Sequence, residues 1–175
     1  MSDYTIAPGP DEYAAHYAPY VSLVPEGGIV AQLERQAADF SRLLESIPEA
    51  RGDHAYAPGK WTIKEVVGHI CDAERVFVYR ALRFARGDAT PLAPFDEDAY
   101  VPPAEFGART LADLGREFHA VRNATIALFR GLPAEAWTRR GMASGHEISV
   151  RALAWIIAGH ELHHRKLLIE RYGAG

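Results

Sequence analysis

Residues 149–172 read SVRALAWIIAGHELHHRKLLIERY. Leu153, Ile157, His160, His164, Leu167 and Arg171 recur at steps of four or three, the rhythm of one face of an α-helix. Residues four apart differ by about 40° in direction and lie one turn apart. His160 and His164 therefore project side by side. Two imidazoles at this spacing can chelate one ion, with nitrogens at ~2.0–2.1 Å from a zinc-sized centre. His163 lies on the neighbouring line with Ile156 and Gly159 and is read as a supporting or interface residue.

Upstream, residues 59–74 read GKWTIKEVVGHICDAE. Thr62 followed by Glu65 is a capping box, so a second helix starts there and runs to about Ala85. Val66, His69, Ala73, Val76 and Arg80 form its inward line. A first helical pattern spans about Ile29 to Ile47, carried by Leu33, Ala37, Phe40, Leu44 and Ile47. A third begins at the Thr110 cap, with Leu111, Leu114, Phe118, Val121, Thr125 and Leu128 as its inner face. Between the second and third lies a long loop, Asp88 to Ala108, holding the acidic group Asp96, Glu97 and Asp98. Residues 138–147 have no helical period and read as a loop or a short extended turn. Four amphipathic segments without sustained strand alternation define an all-α four-helix bundle. Its body spans 29–175, and residues 1–28, rich in proline and tyrosine, form an N-terminal arm packed on it.

Composition narrows the function. The chain has 175 residues, 48% hydrophobic, with formal net charge -4, and it has no basic stripe of the kind a nucleic-acid partner requires. Its one cysteine, Cys71, excludes an internal disulfide framework and suits a reducing compartment. No apolar run reaches the ~18 residues of a membrane span, and the N-terminus lacks a secretory pattern. The expectation is a cytoplasmic protein with no membrane or nucleic-acid partner.

Three of the eight histidines, His69, His160 and His164, sit on stripes facing the interior. A lone buried histidine is more often a hydrogen-bonded core residue, but a pair on one apolar seam needs compensation for burial. In a bundle, metal sites are assembled from facing helices. His69 with His160 and His164 is thus the expected metal set, and His16, His54, His119 and His146 are read as ordinary. The string His160-Glu161-Leu162-His163-His164 also matches the H-E-x-x-H pattern of zinc peptidases. The longer form of that pattern needs glycine and histidine where Leu167 and Glu170 stand, so the third ligand must come from upstream.

The stretches at 59–74 and 159–165, with the segment Pro94-Phe-Asp-Glu-Asp-Ala-Tyr100, resemble the DinB/YfiT superfamily of metal-binding four-helix bundles. The resemblance covers residues 29 to 172. It implies a divalent ion on His69, His160 and His164 with water completing the shell, an unusual topology with a long crossover, and homodimerisation. Members of that family include transferases using low-molecular-weight thiols such as bacillithiol or mycothiol, and a mycothiol-dependent isomerase.

Three imidazoles leave zinc, nickel or ferrous iron with open positions. Such an ion can acidify water, which suits a hydrolase, or hold a small thiol as thiolate, which suits S-transfer to an electrophile. A metal-stabilised scaffold without catalysis is the third reading. Cys71 points about 200° from His69 on its helix, so an external thiol is the better nucleophile. Asp72, Glu74 and Glu161 lie near the site; a solvated charge is the ordinary reading of each. Asp96, Glu97 and Glu161 are the candidate catalytic carboxylates, the first two at the substrate mouth. Arg80 is expected to pair with a buried acid or to receive an anionic substrate.

Overall fold

The computed structural model describes residues 4–174. Its helices are α1 (Ala18–Val21), α2 (Ile29–Ser46), α3 (Ile63–Ala85), α4 (Glu97–Ala104), α5 (Leu111–Arg130) and α6 (Val150–Tyr172), with a hairpin of β1 (Arg140–Ala143) and β2 (His146–Ser149). The long helices start where their caps dictate. Thr62 Oγ1 accepts from the Glu65 N–H at 3.2 Å, while the Glu65 carboxylate accepts from the Thr62 N–H at 2.7 Å. Thr110 and Ser149 cap α5 and α6 without the reciprocal bond, their hydroxyl oxygens accepting from the Asp113 and Ala152 N–H at 3.1 and 3.0 Å. Each such cap satisfies amides that would otherwise be orphaned and contributes about 1 kcal/mol.

The four long helices form the expected bundle. Its main contacts run from α2 to α5, from α5 to α3, from α3 to α6, and from α6 back to α2. The consecutive pairs α2/α3 and α5/α6 thus face each other across diagonals, while α3 and α5 lie side by side; in an up-and-down bundle every consecutive pair is adjacent. Two connections permit this: residues 47–62, and the β-hairpin that carries the chain from α5 to α6. The hairpin pairs Arg140 with Ser149 and Ala143 with His146, which gives form to the aperiodic stretch 138–147.

Three expectations need correction. The segment 88–108 is not one open loop, because Asp96 caps the short α4 and Phe106–Ala108 form a 3-10 turn. Pro102 and Pro103 lie inside α4 and Glu105 ends it in a left-handed conformation; the missing amides keep it short. On α5 the buried line is Leu111, Leu114, Phe118, Arg122, Thr125 and Phe129, while Val121 and Leu128 are half-buried. On α6 the seam ends in Leu168 and Tyr172, with Leu167 half-buried and Arg171 exposed.

The core has two apolar clusters. One holds Leu33, Phe77, Phe84, Phe129 and the first turns of α6; the other holds Phe40, Ile63, Ile70, Phe118 and Leu168. Between them lies a polar layer to which every long helix contributes: Gln36, Glu74, Arg122 with Thr125, and Glu161. Arg122 is fully buried and donates to both Glu74 oxygens at 2.8–3.1 Å and to Gln36 Oε1 at 3.1 Å. Thr125 donates to Glu74 at 2.7 Å, and Gln36 donates to the Ala158 carbonyl at 3.0 Å. The Gln36, Glu74, Arg122 and Thr125 part of the layer is tolerated because its donors and acceptors are matched.

The N-terminal segment is fastened at several points. Tyr4 stacks on Trp137 with ring centroids 4.7 Å apart, and Arg151 donates to Glu12 at 2.7 Å. Helix α1 lies against α6, where Gly159 gives the Tyr20 backbone room; a Cβ there would overlap the Tyr20 carbonyl. No helix among the described residues is long and apolar enough to cross a membrane.

Candidate metal centre

Helix α3 delivers His69 in its second turn and α6 delivers His160 and His164 one turn apart. The Nε2 atoms of His69 and His160 are 3.0 Å apart, and those of His164 and His160 are 3.1 Å apart. All three rings are buried, with residual exposures of 4%, 6% and 8% in chain order. The three expected ligands therefore come together, and they are the one set of three potential ligand groups gathered this way among the described residues.

Hydrogen bonding alone does not account for the cluster. A neutral imidazole nitrogen offers either one N–H or one lone pair. His160 Nε2 has two close nitrogen neighbours, and it can serve only one of them in a normal hydrogen bond. A shared cation serves all three. Two nitrogens each ~2.0–2.1 Å from one zinc-sized ion lie roughly 3–3.4 Å apart across bond angles of about 90–110°, and the observed separations fall in that range. Burial lowers His69 to about 4. Burial, then the charge of the neighbouring imidazoles, holds His160 and His164 well below the usual histidine range. All three are neutral at pH 7, the form that ligates.

Aromatic rings wall the cluster. Trp61 lies 4.7 Å from His69, while Tyr20 and Phe77 meet His160 edge-on at 5.5 and 6.0 Å. The capping turn holds Trp61, and its carbonyl accepts from the Tyr172 hydroxyl at 2.6 Å. On the remaining side a cavity of about 240 Å³ reaches His164, bordered by Tyr56, Lys60, Trp61, Asp98 and Tyr172. Neither Lys60 nor Asp98 forms an ion pair among the described residues. A larger cavity of about 490 Å³ lies elsewhere, between Tyr4, Val30, Phe129 and Trp137, and lacks any cluster of metal-ligating groups.

The other expected site residues fall differently. Asp96 is exposed and caps α4, and Glu97 is exposed beside it; neither lines the cavity, whereas Asp98 does. Glu161 is fully buried in the polar layer and also does not line the cavity. Burial raises its carboxyl to about 7 against the pull of Arg165 and Arg122. Arg80 finds no acidic partner among the described residues. It donates to the Ala93 carbonyl and to Ser144 Oγ, both at 3.0 Å, and so ties the 88–96 loop to the hairpin. His163 is exposed, with its ring 5.4 Å from Tyr20. Cys71 is 1% exposed, and burial, then the charge of Glu117 and Glu74, pushes its thiol up.

Lys60 and Tyr20 escaped the sequence reading, and Asp98 reads there only as a member of the acidic loop group, with Asp96 and Glu97 preferred for the substrate mouth. The signal for Tyr20 was Gly159, a glycine inside a helix without a capping role, which marks close approach by another backbone.

A four-helix bundle with diagonal connections and a buried three-histidine cluster defines the class of protein. The model of the DinB superfamily matches residues 32–168, and the chain belongs to that family. YfiT from Bacillus subtilis, described as "a probable metal-dependent hydrolase with an unusual four-helix bundle topology", aligns with a TM-score of 0.74 at 18% identity over 100% of this chain and 97% of its own. A mycothiol-dependent maleylpyruvate isomerase aligns with a TM-score of 0.63 at 17% identity, over 91% of this chain and 62% of that one. A DinB-like protein, YjoA, also from Bacillus subtilis, aligns with a TM-score of 0.58 at 23% identity, over 81% of this chain and 86% of its own. At these identities the likenesses concern the fold. No match was found among curated proteins.

Proposed function

We propose that the chain is a metal-dependent enzyme whose ion, of the zinc, nickel or ferrous type, is held by His69, His160 and His164, and that it transfers a small external thiol to an electrophile. The convergence of three neutral Nε2 atoms beside a cavity carries this reading. An ion on such a set supplies Lewis acidity, which keeps a thiol deprotonated at neutral pH. The rings of Trp61, Phe77 and Tyr20 keep water from the other sides and leave approach through the cavity at His164. There Lys60 and Asp98 offer a cation and an anion to a charged ligand. In the reaction the sulfur forms a bond to the electrophilic carbon, the leaving group departs with the bonding pair, and the thiol proton passes to solvent. Cys71 does not compete, because its thiol is buried and held protonated.

A hydrolase is the second reading, and the full-length likeness to YfiT favours it. One assay separates the two. Metal-loaded protein is incubated with a chlorodinitrobenzene-type electrophile and cysteine, and separately with activated esters and no thiol. Thiol-dependent product in the first arm is expected. Turnover only in the second arm would replace transfer with hydrolysis, and silence in both would leave a metal-stabilised scaffold.

A further inference from the structure

Glu161 Oε1, Glu161 Oε2 and His164 Nδ1 are the buried side-chain polar atoms that have no hydrogen-bond partner among the described residues. They lie three positions apart on α6, so they share one side of the helix. A helical side chain leans toward the preceding turn, which carries the ring of His164 back over residues 160 and 161.

The tautomer sharpens the match. A neutral His164 that offers its Nε2 lone pair to an ion must carry its proton on Nδ1. That leaves a buried N–H without an acceptor three residues from a buried carboxylate without a donor. Arg165 Nε stands 3.3 Å from Glu161 Oε1 but outside hydrogen-bonding geometry, and Arg122 is saturated by Glu74 and Gln36. Each orphan costs about 1–3 kcal/mol or more while unmatched, and each is the nearest complement in sequence to the other.

We infer that Glu161 is the positioning residue of the centre: its carboxylate takes the hydrogen bond of His164 Nδ1–H when the ion is bound, fixing the ring and raising its basicity. The inference rests on the three-histidine reading above. Carboxylate support of this kind is worth about 10–100-fold in metal affinity.

The test titrates zinc into metal-stripped wild type, Glu161→Gln and Glu161→Leu, and melts each protein without metal. Glu161→Gln keeps an acceptor and is expected to bind within a few-fold of wild type. Glu161→Leu is expected to bind zinc about 10–100-fold more weakly. Its metal-free melting temperature should equal or exceed that of wild type, because a buried carboxylate without donors has gone. A purely structural glutamate would instead lower the melting temperature of the metal-free protein. Should Glu161→Leu fail to fold, that result itself argues for the structural role and against this one. Nitrogen-15 histidine spectra of the zinc-loaded wild type and Glu161→Gln give an independent readout: an unmoved His164 Nδ1–H resonance overturns the inference. Equal zinc affinity in all three proteins also overturns it, while a wild type that binds no zinc overturns the three-histidine reading itself.

Discussion

His69 Nε2 and His160 Nε2 stand 3.0 Å apart, although the two residues are separated by 91 positions in the chain. His160 is the middle of the cluster, since the His164 nitrogen is 3.1 Å on its other side. Its loss should be the most damaging. His160→Ala is expected to abolish stoichiometric metal, and His69→Ala and His164→Ala to weaken binding by at least about 100-fold. His163→Ala should retain full metal content by elemental analysis. Equal content in wild type and His160→Ala would remove the centre.

Gly159→Ala should destabilise the protein, against the usual sign. In an exposed helix interior the exchange gains about 1 kcal/mol. Here the added Cβ meets the Tyr20 carbonyl, and overpacking against backbone costs roughly 1–3 kcal/mol or more. The melting temperature should fall, and a protease should release the N-terminal segment sooner. A rise in melting temperature would mean that α1 does not press on α6 in solution.

The polar layer predicts a strong asymmetry between single and double variants. Glu74→Leu leaves the fully buried Arg122 without its carboxylate, at a cost of about 3–5 kcal/mol. Glu74→Leu with Arg122→Leu removes both charges and should recover part of that loss. Denaturant melts of the three proteins measure the coupling, and additive losses would dissolve it.

Acid should loosen the N-terminal segment first. Burial pushes the Glu12 carboxyl up, but hydrogen bonds from Arg151, the Gly9 N–H and Ser149 outweigh it and bring the pKa down to about 2 from an ordinary 4.5. A carboxyl lowered on folding stabilises above its unfolded value and loses that contribution as pH falls through the folded value. The window therefore runs from about 4.5 down to about 2. Glu12→Gln should lose roughly 1–2 kcal/mol at pH 7, allowing for screening near the partly exposed Arg151. The difference from wild type should shrink as pH falls toward 2 and vanish below it, and a constant difference across that range would assign the effect to packing.

Under the proposed transfer reaction, Lys60 and Asp98 at the cavity would influence substrate preference. If the ligand is charged, Lys60→Ala or Asp98→Ala should raise KM by roughly ten-fold with little change in kcat. Comparing cysteine, cysteamine and 3-mercaptopropionate then shows which charge each residue meets. An unchanged KM for all three would leave the cavity mouth without a selective role.

Much of this was legible from spacing. The Thr62–Glu65 box and the His160–His164 pair are local signals, since one turn of helix determines them. Arg122 was not legible, because an arginine on an amphipathic helix ordinarily reads as solvent-facing, and only the diagonal connectivity brings Glu74 and Gln36 to it. The short helix at 97–104 was hidden by two prolines, which argue against a helix locally. Asp96, Glu97 and Asp98 are indistinguishable as a run of acids, and the geometry of the α4 cap alone turns Asp98 toward the cavity. Tyr20 reaches His160 across a contact between segments about 140 positions apart, which no local pattern encodes.

The sealing of Cys71 makes the molecule its own clock. With 1% of its surface accessible and its sulfur held protonated, alkylation by iodoacetamide must wait for α3 to separate from its neighbours. The labelling rate then reports how often α3 separates from its neighbours. It also means that the folded chain presents no thiol of its own to an electrophile in solution.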